Sequence, residues 1–134
     1  MMRPWNLALR FVLEMAALVG LGLAAWGATT GVLRWVLVFL LPLAAAACWG
    51  TFNVVDDPSR SGRAPVEVAG WIRLLIELVV LFGGWIGYAI AGLPALGVAF
   101  AALTVLHYAV GHARVRWLLG RRGGGVQVGG GRDR

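Results

Sequence analysis

The chain has 134 residues, of which 60% are hydrophobic and 13% charged, with a mean hydropathy of +0.79. An ordinary soluble domain carries roughly 25% charged residues, so this composition excludes water as the main solvent. All the basic residues are arginine and the net charge is +6. They flank apolar runs instead of forming a stripe with interleaved aromatics, which argues against a nucleic-acid partner and for anionic lipid headgroups.

The first apolar window runs over 7–27. Arg3 followed by an apolar stretch resembles a secretory signal, but a signal core is about 7 to 15 uninterrupted residues. This window contains Arg10 and Glu14 and continues to Gly27. A bilayer core of about 30 Å needs roughly 20 apolar residues in a helix, and three more windows supply that, over 33–52, 71–91 and 94–112. The predicted fold is an all-α membrane protein whose four transmembrane helices form two antiparallel hairpins. The first hairpin turns through Ala28, Thr29, Thr30 and Gly31, and the second through Gly92 and Leu93. Pro94 then suits the first turn of a helix, where its missing N–H has no partner to lose.

Between the hairpins, residues 53–70 read as a cytosolic loop carrying Asp56, Asp57, Arg60, Arg63 and Glu67 with Pro58, Gly62 and Pro65. Arg60 and Arg63 with nearby N–H groups are a candidate phosphate or headgroup site. The simpler reading is an ordered turn whose aspartates and arginines pair and cap helix ends. The four-helix domain is expected to occupy 1–119, and the Gly-rich basic tail over 120–134 has the composition of a disordered segment. Every arginine except Arg34 lies near the N-terminus, the central loop and its flanks, or the tail. The positive-inside rule therefore puts both termini in the cytosol. Trp5, Trp71 and Trp117 anchor that side and Trp35 the other.

A shift of 63 residues lays Arg10, Glu14, Leu18 and Gly20 on Arg73, Glu77, Leu81 and Gly83. The Arg-x-x-x-Glu match is the informative one, because so few charges fall deep in the windows, and it points to a duplicated hairpin with parallel topology. Residues four apart share a helix face, so each pair neutralises itself. An isolated charge at that depth costs at least about 2.5 to 3.5 kcal/mol. Intramembrane carboxylates often relay protons or ions, but an adjacent arginine works against the protonation such a relay needs. Two structural pairs pinning the first and third helices together are the favoured reading.

His107 and Glu77 each lie about five or six residues from the cytosolic end of their helices, roughly 8 to 9 Å below it. Cys48 falls near the same level, which makes Glu14, Glu77, Cys48 and His107 a candidate polar layer. No two of these have a metal-ligand spacing on one helix, so no metal or cofactor is expected. His107 reads best as a hydrogen-bonded packing residue, and Tyr108 and His112 as interfacial. Gly83-x-x-x-Gly87, Ala16-x-x-x-Gly20-x-x-x-Ala24 and the run Ala44–Ala47 are small-residue faces for close helix packing. They suit contacts within one chain or in a homo-oligomer. Pro42 removes one hydrogen bond from the second helix and is expected to kink it.

The order Asn6-Leu-Ala-Leu-Arg-Phe-x-Leu-Glu14, Trp49-Gly-Thr-Phe52, Asp57-Pro-Ser-Arg60 through Pro65, Arg73-x-x-x-Glu77 and a late His-Tyr-Ala resembles the YrdB-like family of small bacterial membrane proteins, over roughly residues 6–118. That resemblance implies a multi-pass membrane protein with no catalytic residues to carry over. Nucleotide-loop, metalloprotease and serine-elbow motifs do not occur. The expected role is non-enzymatic, structural or interacting with lipid or a membrane partner. The rival is a small proton-coupled transporter or channel subunit using Glu14 or Glu77.

Overall fold

The computed structural model describes residues 3–58 and 64–121. Arg60, Arg63 and nearly all of the expected tail lie outside the described residues. Among the described residues five helices follow in order: α1 (Pro4–Ala28), α2 (Gly31–Thr51), α3 (Gly70–Ile90), α4 (Pro94–Val110) and α5 (His112–Gly120). Two strands of two residues each, β1 (Phe52–Asn53) and β2 (Val66–Glu67), pair in parallel inside the central connection. Three helices are long and apolar enough to cross a membrane, and a fourth crossing results if α4 and α5, bent by 67° at Gly111, act as one span.

The helix boundaries follow local chemistry. Pro4 stands in the first turn of α1, where its fixed φ is already helical, so α1 begins three residues before the expected Leu7. Thr29 and Thr30 are extended and Gly31 has φ +64, which reverses the chain into α2. At the end of α3, Leu93 N–H donates to Tyr88 O at 3.0 Å and Gly92 N–H to Ala89 O at 3.2 Å, with Gly92 at φ +69. That is a Schellman stop, which needs a left-handed residue and so favours glycine. The fourth window ends early: α4 stops at Val110, and the residues after Gly111 turn away as the separate helix α5. Nothing in the apolar pattern predicts that helix.

The two helices that lead the hairpins, α1 and α3, form the centre, and small residues set their distance. A Cβ on Gly84 would stand 2.7 Å from Ala17 Cα, and one on Gly20 or Gly87 would collide with the opposing backbone, Gly20 against Gly84 and Gly87 against Gly20. The expected frame Gly83/Gly87 is thus off by one at its first member, since Gly83 faces only the Leu21 side chain. Tyr88 reinforces the crossing by donating to Ala16 O at 2.7 Å. Leu13, Ala17, Leu21, Val80, Leu81 and Phe100 fill the space around it. Helix α2 leans on α1, with Val38 and Pro42 against Gly22. Its remaining faces, including most of Ala44–Ala47, are exposed. Bare apolar side chains such as Phe39 and Leu43 on α2 and Val79 and Phe82 on α3 are what a hydrocarbon surround requires and water would penalise.

At the foot of the bundle, α5 lies across the start of α3. Gly70 N–H donates to Arg121 O at 2.9 Å, and Gly70 packs so closely on Leu118 O that a Cβ there has no room.

Candidate functional site

The polar side chains inside the bundle gather at this same foot. Arg10 on α1 donates through Nε to Glu14 Oε1 at 3.0 Å, and Arg73 on α3 donates through Nε to Glu77 Oε1 at 3.0 Å. These are the i,i+4 bonds the spacing calls for. The structure adds cross-links that the spacing does not reveal. Arg10 Nη2 also reaches Glu77 Oε1 at 2.9 Å. Arg114 on α5 donates to both oxygens of Glu77, at 2.7 and 3.0 Å, and to both oxygens of Asp57, at 2.6 and 2.8 Å. Tyr108 on α4 donates its hydroxyl to Glu77 Oε2 at 2.9 Å.

Among the described residues the result is one network of three guanidinium groups, Arg10, Arg73 and Arg114, and three carboxylates, Glu14, Glu77 and Asp57, whose formal charges cancel. Neutrality matters because an unpaired ion in a low-dielectric interior carries a desolvation penalty on the order of several kcal/mol. The arrangement is uneven. Glu77 is the hub, with its side chain 1% exposed, whereas Glu14 keeps 24% exposure and a single arginine. Burial works to lower the Arg114 pKa, but its hydrogen bonds to Asp57 and Glu77 outweigh that and raise it above the usual arginine value.

Arg73 has a second task. Its Nη1 donates to Trp49 O at 2.6 Å and Phe52 O at 2.8 Å, carbonyls at the C-terminal end of α2, where a helix leaves its last acceptors without an internal partner. Asn53 Nδ2 satisfies Gly50 O in the same turn at 2.6 Å. The Trp49 ring lies 5.7 Å from the Arg10 guanidinium and 5.3 Å from that of Arg73, within the range where a ring face attracts a cation. The last turn of α2 is therefore held to the network through one arginine and one indole.

Of the candidate polar layer, Glu14, Glu77 and His107 line one small cavity of about 10 Å³ together with Arg10, Trp49 and Tyr108. That volume is about one water probe. Cys48 is exposed on α2 and takes no part; the neighbouring Trp49 holds the place expected for it. His107 is 4% exposed and its Nδ1 lies 2.8 Å from Asn6 Oδ1. Tyr108 is a member of the network instead of an interfacial anchor. His112, by contrast, makes only a local contact to Ala109 O. Asp57, from the central connection, pairs with Arg114 on α5, a partner outside the loop; the loop arginines Arg60 and Arg63 lie outside the described residues. Asn6, Arg114 and Tyr108 join the site although neither spacing nor charge in the sequence places them there, since a polar residue at a span's edge has nothing to mark it as a network member.

Comparison with known proteins fits this picture. The model of the family described as "Protein of unknown function (DUF2568)" matches residues 8–105. That range takes in both Arg-x-x-x-Glu pairs and stops short of Arg114. The chain is 40% identical over 114 residues to a protein printed as "Uncharacterized protein YrdB" from Bacillus subtilis (strain 168), covering 85% of this chain and 93% of that one. No solved structure matches. With most of its length matched by both, the chain belongs to the DUF2568 family, and YrdB of Bacillus subtilis is its relative.

Proposed function

We propose that this is a non-catalytic, multi-pass protein of the bacterial inner membrane, crossing four times with both termini in the cytosol. Its charged network is a lock that joins the cytosolic ends of the helices to the loop and to α5, presenting a fixed cytosolic face to lipid headgroups or a membrane partner. The observation that carries this reading is the enclosure of Glu77 by three arginines and Tyr108. A carboxylate that relays protons must shed its charge in each cycle, and one held by three cations is set against that. The cavity beside it, about 10 Å³, is too small to admit a substrate.

The orientation rests on the other described arginines clustering at the network end, with Arg34 at the opposite one, where it donates to Thr29 O at 2.9 Å and stacks 4.6 Å from the Trp26 ring. In this orientation α4, 17 residues long, makes the fourth crossing by itself and α5 lies along the cytosolic surface. A duplicated hairpin is supported by the two Arg-x-x-x-Glu pairs making the same Nε to Oε1 bond at 3.0 Å.

The transporter reading is tested by reconstituting the purified chain in liposomes with a potential and a pH-sensitive dye inside. A lock predicts proton movement no faster than in empty liposomes, for the wild type and for Glu14→Gln alike. Flux in the wild type that Glu14→Gln abolishes would replace the lock with a proton pathway.

A further inference from the structure

A second, larger cavity of about 410 Å³ opens beside the network, lined by Arg3, Asn6, Asp56, Gly111, Arg114 and Trp117 among others. It lies where the start of α1, the central connection and the α4–α5 bend come together. Its volume falls in the range of about 300 to 1,000 Å³ that small-molecule sites occupy. Two of its walls carry opposite charges that do not neutralise each other, because neither Arg3 nor Asp56 makes an ion pair among the described residues. The third charge, Arg114, is already committed to Asp57 and Glu77. The wall also holds Asn6, which is 2% exposed. Its Oδ1 is taken by His107 while its amide nitrogen has no hydrogen-bond partner among the described residues. A group bound in the cavity can accept a hydrogen bond from it.

A simple anion would be drawn to Arg3 and the Asn6 amide and repelled by Asp56, and a simple cation would meet the reverse. A ligand bearing both a phosphate and a primary ammonium satisfies each wall. We propose that this cavity is a binding site for the phosphoethanolamine group, with the phosphate on Arg3 and the Asn6 amide and the ammonium on Asp56. The site rests on the membrane orientation given above, in which Arg3, Trp117 and the bend at Gly111 stand at the cytosolic headgroup level. Phosphatidylethanolamine is then its natural source, and free phosphoethanolamine shares the chemistry. Choline headgroups lack the ammonium N–H groups that Asp56 would accept from, and glycerol headgroups lack the cation.

The test is native mass spectrometry of the full chain extracted from vesicles of equal parts palmitoyl-oleoyl phosphatidylethanolamine, phosphatidylcholine and phosphatidylglycerol. Preferential retention of the ethanolamine lipid is expected. Asp56→Asn should erase its advantage over the glycerol lipid, and Arg3→Gln should weaken retention of the ethanolamine lipid roughly tenfold, the worth of one charge-assisted hydrogen bond. Both residues lie outside the six-charge network, and an unchanged melting temperature in each variant checks that the fold persists. Stabilisation of the lipid-free protein by soluble phosphoethanolamine would show that the headgroup suffices; retention of the lipid without that stabilisation would show that the lipid itself is the ligand. Equal retention of all three lipids by the wild type, or a preference untouched by either variant, would overturn the site. Labelling of the wild-type termini from one side of the vesicle reports the orientation independently, so a failed orientation and a failed site are told apart.

Discussion

Arg114 and Glu77, 37 residues apart in sequence, face each other as two forks, with Nη2 to Oε1 at 2.7 Å and Nη1 to Oε2 at 3.0 Å. The same guanidinium grips Asp57 from its other edge. One short helix after α4 thus holds a carboxylate inside the bundle and a carboxylate in the connecting loop, and α5 docks on the foot of α3 for that reason as much as for the Gly70–Leu118 contact.

Replacement of Arg114 by lysine keeps the charge but gives up the planar fork, which a point ammonium cannot reproduce on two carboxylates at once. Arg114→Lys is expected to lower stability by about 1 to 3 kcal/mol, as bidentate charge-assisted bonds are lost. Thermal melts in detergent measure it, and a melt equal to wild type would show that charge alone suffices at this position.

The glycine crossing separates close neighbours. Gly87→Ala places a methyl group against the Gly20 backbone, whereas Gly83→Ala meets only the end of the Leu21 side chain, and Gly50→Ala meets nothing. Forcing a backbone apart costs typically about 1 to 3 kcal/mol. Melting temperatures should therefore fall most for Gly87→Ala, less for Gly83→Ala, and hardly at all for Gly50→Ala. Equal losses at positions 83 and 87 would refute the crossing.

Arg73 caps the end of α2 as well as pairing with Glu77, so its loss should be felt in two places. Hydrogen exchange of Arg73→Gln in detergent is expected to show faster exchange over the last turn of α2, around residues 48–53, than over the first turns of the same helix. Exchange that rises evenly along α2 would indicate general loosening instead of a lost cap.

Arg10, Glu14, Arg73 and Glu77 are legible in the sequence because charge is rare inside apolar windows, and spacing by four fixes each pair on one face. The hub character of Glu77 is not legible. It depends on α5 folding back, and the bend at Gly111 sits within a stretch whose composition reads equally well as the end of a span. Arg114 looks like one more arginine in a basic terminal region, and Tyr108 like any interfacial tyrosine. The glycine face reads one residue out of register because Gly83 and Gly84 are adjacent, and only the angle at which α3 meets α1 chooses between them. Depth alone points Cys48 to the polar layer, and depth does not say which way a helix face turns.

Whether Glu77 is held by ionic partners in a charge-balanced interior is tested most directly by a double-mutant cycle on Arg73 and Glu77. Glu77→Gln alone strands buried cations and is expected to cost about 3 to 5 kcal/mol. The variant carrying both Arg73→Gln and Glu77→Gln leaves Arg10 with Glu14 and Arg114 with Asp57. It should melt higher than the sum of the single losses predicts, by a coupling of about 1 to 3 kcal/mol. Losses that simply add, or a Glu77→Gln variant as stable as wild type, would contradict the network as the lock of this fold.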